Sequence, residues 1–438
     1  MDSLLIAQAI GILVVFLGLI ALMVTRKAPT MIALPIMAIL FAVIAGVPFM
    51  SSNAEEVTIF ASIIQKGSMR MSDAIASLLF GAMFAQILNK TGITRGIVKK
   101  AAELGGGNAL VSAIVFFVIT AVVFTGGSGL GMYILVGNIV IPILISTGIS
   151  PFNAGLVLLL GGTVGSSLNV SGWTVMTQTL GISIDTITNN LLIPLIPFAA
   201  VCLAMIVLGV KHDLAKHKAW AMPVESQDDD GEEVTSSKQN VPLLAFISPI
   251  IPVVLVWGFK VAILPAIIIA ILYVLIVIRP KRPMQVVSSS LIEGTQDTAS
   301  AIALFMGLGM LMASIGTAQV SGVISPFVNA IIPNNILGYI LFFIILAPLS
   351  LYRGPLAPYG LGAGIASLFL PGGMNPTMAF LGWQAIGDLS GVADPTQSYI
   401  MWIADYTKSD PTDFMKKILP YTMVSTAVTI LIGCVLVL

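Results

Sequence analysis

"SGVADPTQS", residues 390–398, decides the fold. It sits inside the apolar region 376–406, where a helix is otherwise expected to cross a membrane. Pro395 removes a backbone donor and the flanking Ser390-Gly391 does not hold a rigid helix, so the helix breaks here. A break leaves backbone groups unsatisfied, at several kcal/mol each in lipid. It survives only where protein or a watery cavity surrounds it. Asp394 at the break is a carboxylate that suits Na⁺ binding beside carbonyls, or proton uptake.

Working outward, the break has a partner. "GSSLNVSGW" (165–173) interrupts the apolar region 152–181 in the same way, with Asn169 opposite Asp394. "SDAIASLLFGAMFAQIL" (72–88) matches "QDTASAIALFMGLGMLM" (296–312), and "STGISPFNAGLVLLLGG" (146–162) matches "PGGMNPTMAFLGWQAIG" (371–387). Each match keeps an offset near 225 residues, as in Pro151 to Pro376. Two further apolar regions, 109–147 and 336–371, turn at "FTGGSGLG" (124–131) and "YRGPLAPYG" (352–360). Both turns read as tips of re-entrant hairpins.

Composition supports a lipid setting. The 438 residues are 57% hydrophobic and 9% charged, with a mean hydropathy of +1.02, where soluble proteins carry about 25% charge. Uninterrupted spans are expected near 3–24, 29–48, 72–90, 189–210, 242–259, 261–279, 296–315 and 420–438. The first of these lacks a basic n-region and a small-residue cleavage site, and reads as a span rather than a signal peptide. The chain divides into a first transmembrane repeat (1–210), a cytoplasmic acidic linker (211–241) and a second, inverted repeat (242–438).

Positive charge orients these pieces. With the N-terminus outside and each hairpin returning to its own side, sixteen of the twenty Lys and Arg fall in the cytoplasm. Lys66, Arg70 and Lys260 fall outside, and Arg353 falls in neither compartment. That bias is the one expected of an inner (plasma) membrane protein. It also makes the halves antiparallel, with both termini outside. Inverted repeats with broken helices place a site near the midplane, where the breaks meet.

The expected substrate-binding residues are Thr125, Gly126, Gly127 and Ser128 at the first tip, and Arg353, Gly354 and Pro355 at the second. Ser166, Ser167 and Asn169 at the first break and Thr396 at the second complete the set. Asn169, Asp388 and Asp394 are the expected cation-coupling groups. Arg353 stays charged, and its planar fork suits a carboxylate. Snorkelling to the outer surface, or a structural pair with Asp388 or Asp394, is the other reading. Gly and Ser at the tips equally allow close helix packing. Asp73, Glu293 and Asp297 read as acidic caps at helix starts.

Several classes are excluded. Zero net charge suggests no nucleic-acid partner. Cys202 and Cys434 lie in apolar runs and form no metal or disulfide framework, and His212 and His217 fall in the linker. No HExxH or nucleophile motif lies in or near a span, so no enzyme and no cofactor is expected, and the paired breaks speak against a passive channel.

The stretch "SGVADPTQSYIMWIADYTKSDPTDFMKKILPYTMV" (390–424) resembles the gluconate:proton symporter family of the ion transporter superfamily, whose last broken helix carries an Asp-Pro element. "SLIEGTQDTASAIALFMGLGMLM" (290–312) is similar to the start of that family's second repeat, and "SLLFGAMFAQILNKTGI" (77–93) looks equally like citrate-type permeases. The resemblance implies an all-α membrane fold of two inverted repeats, each with a re-entrant hairpin and a broken helix. It implies symport of a small organic anion (gluconate-, citrate- or C4-dicarboxylate-like) with H⁺ or Na⁺, by an elevator-like motion in a homodimer. It carries over to Asp394, Pro395, Gly126 to Gly129 and Gly354. The first break departs from the family, having neither His nor Pro in "GSSLNVSGWTVM" (165–176), and the first tip lacks the family's acidic residue. A Na⁺/H⁺ antiporter on the same scaffold is the alternative.

Overall fold

The computed structural model describes residues 3–25, 27–53, 56–215, 241–358 and 361–437. The described residues are helical, without strands. The first half runs α1 (Ser3–Val24), α2 (Thr30–Ile44), α3 (Lys66–Met69), α4 (Ser72–Lys90) and α5 (Ile93–Gly105). It continues with the hairpin α6 (Ala109–Thr125) and α7 (Leu130–Ser146), the broken pair α8 (Pro151–Ser167) and α9 (Val170–Leu180), α10 (Ile184–Asn190) and α11 (Leu192–Ala215). The second half runs α12 (Ile251–Trp257), α13 (Ile263–Ile278), α14 (Pro283–Ile315), α15 (Ala318–Ile331), α16 (Ile336–Ile340), α17 (Leu361–Ala366), the broken pair α18 (Pro376–Ala393) and α19 (Ser398–Tyr406), and α20 (Pro411–Val437).

Six stretches among the described residues are long and apolar enough to span: Leu4–Met23, Ile59–Lys90, Leu192–Ala215, Pro283–Ile315, Ile336–Arg353 and Pro411–Val437. The pair α8 and α9 passes the same test together, bent by 59°. Large apolar side chains cover the outside, for example Leu4, Ile276 and Val435. In water that surface would drive aggregation. The chain is a multi-pass membrane protein.

The halves pack as a two-fold relation demands. Helix α2 lies on α14 while α13 lies on α4, and α8 lies on α11 while α18 lies on α20. The return arm α7 of the first hairpin rests on α19, and α17 of the second rests on α9. Three contacts map onto themselves: α4 with α14, α8 with α18, and α11 with α20. Each half therefore completes the other around the breaks.

Some expectations shift in detail. The second hairpin is less regular than the first. Its entering arm passes through π-helical Leu341–Ile345 and 3₁₀-helical Ala347–Arg353, and only Leu361–Ala366 of the return is α-helical. Glu293 and Asp297 are not caps, because α14 begins at Pro283. They reach across to α4 instead, Glu293 to Lys90 Nζ at 2.6 Å and Asp297 to Gln86 Nε2 at 2.7 Å. Asp73 does lie in the first turn of α4. The expected linker begins as the end of α11, with His212 inside that helix. Residues 216–240, with His217, lie outside the described residues.

Candidate functional site

The first break forms because α8 ends at Ser167 and Asn169 starts a new helix. Its Oδ1 accepts from Ser171 N at 3.0 Å, an N-cap that satisfies a free donor of α9. Its Nδ2 donates to the Thr125 carbonyl at 3.3 Å, which ties the break to the first hairpin tip. Trp173 Nε1 donates back across the gap to the Ser167 carbonyl at 3.1 Å.

The first tip is packed rather than open. A Cβ on Gly127 would stand 2.2 Å from Ala85 Cβ, and one on Gly126 would stand 2.8 Å from Leu88 Cδ1. Both glycines let the tip approach α4, which is the close-packing role of small residues in membranes. The Thr125 hydroxyl is buried and donates to Val122 O or Pro249 O. Ser128 is exposed, and Ser166 is half-buried.

The second break is built differently. Asp394 caps the end of α18, is 1% exposed, and collects four donors. Thr396 N and Thr396 Oγ1 reach its Oδ1 at 3.0 and 2.7 Å. Tyr352 N reaches Oδ1 at 3.0 Å, and Arg353 N reaches Oδ2 at 3.2 Å. These last two donors exist because Tyr352 and Arg353 adopt φ of +55° and +54°. Left-handed backbone costs about 1–2 kcal/mol per non-glycine residue, and charge-assisted hydrogen bonds to Asp394 offset it. Gly354 closes the turn, since a Cβ there would stand 2.1 Å from Leu349 O. Pro355 and Thr396 are half-buried beside it.

Asp394 therefore grips the backbone of Arg353, not its side chain. The Arg353 side chain is exposed, and its guanidinium makes no ion pair among the described residues. The second tip stays close to the other break residues through Pro358, 3.9 Å from the position of a Cβ on Gly387.

Asp388 lies where α18 meets the end of α8. Its Oδ1 accepts from Ser167 Oγ of the first half at 2.7 Å and from Gln384 Nε2, one turn earlier on α18, at 2.7 Å. The residue is 4% exposed and has no basic partner among the described residues. Gln384 Oε1 is buried with no hydrogen-bond partner. The buried carboxylate thus receives only neutral donors, an arrangement that a cation or proton completes.

Three side chains here carry no signal in the sequence. Tyr133 of α7 stacks on Tyr399 of α19 with ring centroids 4.4 Å apart. Tyr133 Oη lies 3.4 Å from Thr163 Oγ1 of α8, and Tyr399 Oη donates to Gly391 O at 2.8 Å. Tyr133, Thr163 and Tyr399 thereby join one half's hairpin to both broken pairs. Ser167, one turn after Thr163 and within reach of its carbonyl, continues this set to Asp388. No trio of His, Cys, Asp or Glu suited to a metal occurs among the described residues.

No protein-family model and no curated protein matches the sequence. Solved structures do match in shape. The YdaH transporter of Alcanivorax borkumensis, described as having an unusual topology, superposes with a TM-score of 0.63 over 92% of this chain and 97% of that one, at 10% identity. MtrF of Neisseria gonorrhoeae, described within a class of antimetabolite efflux pumps, gives 0.60 over 93% and 95%, at 14% identity. At such identities the likeness establishes a shared fold, that of membrane transporters.

Proposed function

We propose that this chain is a secondary active transporter, a symporter that moves a small organic carboxylate with H⁺ or Na⁺. The observation that supports it is Asp388, a buried carboxylate between the halves with no counter-charge among the described residues. Burying such a charge unpaired costs several kcal/mol. A bound cation or proton removes that cost, so occupancy changes the contact between Ser167 of one half and Asp388 of the other. This is the coupling that alternating access requires.

We assign the cation to Asp388 with Gln384 and Ser167, and a positioning role to Asp394 and Asn169. The free guanidinium of Arg353 favours an anionic cargo, because a site for cations alone gains nothing from a fixed positive charge beside it. Gluconate, citrate and C4-dicarboxylates, the classes implied by the resemblance, form the first panel. The inner membrane, with the N-terminus outside, and a homodimer complete the proposal.

Purified protein in sealed vesicles tests it under an imposed H⁺ or Na⁺ gradient. Labelled gluconate, citrate or succinate should accumulate, and an ionophore should abolish the accumulation. Na⁺/H⁺ exchange with no carboxylate accumulation across the panel would establish an antiporter instead.

A further inference from the structure

A cleft of about 740 Å³ opens beside the first break, walled by α4, α9, α10 and the loop into α13. Both halves of the molecule therefore contribute to it. Three charged residues line it: Asp73, Asp185 and Lys260. Lys260 Nζ lies 3.1 Å from Asp185 Oδ1 and 3.1 Å from Thr188 Oγ1. Those contacts engage two of its three protons and neutralise Asp185. Asp73 has no ion-pair partner among the described residues. Thr174 stands on the cleft wall, 6% exposed, and its hydroxyl is buried with no hydrogen-bond partner.

The wall thus offers one unpaired carboxylate and one ammonium with a donor to spare. Its fixed charges sum to −1, from two carboxylates and one ammonium. A plain dicarboxylate meets more negative than positive charge there. A divalent metal lacks the three ligands it needs, since no such trio occurs among the described residues. A solute with an amine beside its carboxylate matches both charges at once.

We propose that this cleft binds a small amino carboxylate, its ammonium on Asp73 and its carboxylate on Lys260. The proposal rests on the transport reading above and names the substrate class. Thr174 and the cap Asn169 belong to one helix, and Asn169 follows Ser167, the Asp388 partner, by two residues. The cleft therefore adjoins the helix that follows the first break.

Titration calorimetry on the full chain in detergent tests this with matched pairs, aspartate against succinate and glutamate against glutarate. The amino member should bind at least about tenfold more tightly, because the site's polar groups stay unpaired without it. Asp73→Asn and Lys260→Gln should each weaken aspartate binding about tenfold. Equal binding of succinate, or of aspartate to Asp73→Asn protein that elutes as a folded species, would overturn the proposal. So would binding of neither.

A second measurement guards against a misfolded variant. Thr177→Cys lines the cleft, and Cys202 and Cys434 are buried. An impermeant maleimide should label Thr177→Cys, and aspartate should slow the labelling while succinate does not; equal rates with and without aspartate would refute the site. The two readings fail separately. Aspartate binding without gradient-driven uptake would sink transport alone. Gradient-driven aspartate uptake untouched by Asp73→Asn would sink the amino-carboxylate site alone.

Discussion

The two breaks share a topology and have opposite electrostatics. At the first, neutral Asn169 donates to the Thr125 carbonyl of its hairpin tip. At the second, Asp394 accepts from the Tyr352 and Arg353 amides of its tip. The first tip is packed by Gly126 and Gly127 against α4, whereas the second carries an exposed arginine. The flanking helices diverge as well. Thr177 on α9 lines a cleft, while Trp402, at the matching place on α19, meets Gly137 so closely that a Cβ there would stand 2.7 Å from its ring. An inverted repeat gives two equivalent scaffolds, and these substitutions give one half a cleft beside its break and the other a charged, exposed tip.

Asp388 depends on both scaffolds, so its removal should do most. Asp388→Asn is expected to cut gradient-driven uptake at least about 100-fold, because the neutral amide neither attracts a cation nor takes up a proton. The same change deletes an unpaired buried charge, so the apparent melting temperature should rise or hold. Uptake within a few-fold of the parent protein would move the coupling group elsewhere. A fall in melting temperature would mean that the carboxylate has a partner it loses.

Asp394→Asn comes next and acts through the backbone. An amide keeps one acceptor oxygen for four donors, so about 2–3 kcal/mol of stability should be lost, roughly the worth of one hydrogen bond to a charged group. Urea or thermal unfolding measures it. Retention of cation dependence at reduced rate would separate this positioning role from coupling. Loss of cation dependence with unchanged stability would return Asp394 to the cation site.

Much of this is legible in the sequence. Gly, Pro, Asn and Asp interrupt apolar runs at 126–129, 169, 354–358 and 394–395, and helices end there because the backbone chemistry of these residues is local. The repeat offset survives in space, with Pro151 and Pro376 both opening helices. Tyr133, Thr163, Gln384 and Tyr399 were not legible, since each is an ordinary helix residue until packing between halves decides which way it faces. The partners of Asp394 were hidden for another reason. Every residue has an N–H, and only the left-handed φ at 352–353 frees two of them for one carboxylate. Glu293 and Asp297 misled because α14 extends well past its apolar part as a continuous 33-residue helix.

Arg353→Lys sharpens the contrast between the tips. The substitution keeps the charge and removes the planar fork, so apparent affinity for the transported carboxylate should fall about tenfold, the loss of one bidentate contact. Uptake assays at varied substrate concentration read this directly. Stability should not move, because only the Arg353 amide is held by Asp394. Unchanged affinity would leave Arg353 at the mouth, outside the binding site.

Asn169→Ala has the smallest expected effect and bears most directly on the asymmetry. Asn169 is the formal counterpart of Asp394, yet it holds one neutral cap bond and one long bond of 3.3 Å to the first tip. Losing the cap should cost about 1 kcal/mol, and the tip bond adds little, because the glycines already pack that tip against Ala85 and Leu88. Thermal unfolding of Asn169→Ala beside Asp394→Asn gives the ratio. A loss two to three times smaller at Asn169 means that the first tip is held by packing and the second by charge. Equal losses would mean that both tips hang on their break residues, and the difference between the halves would then reduce to Arg353 alone.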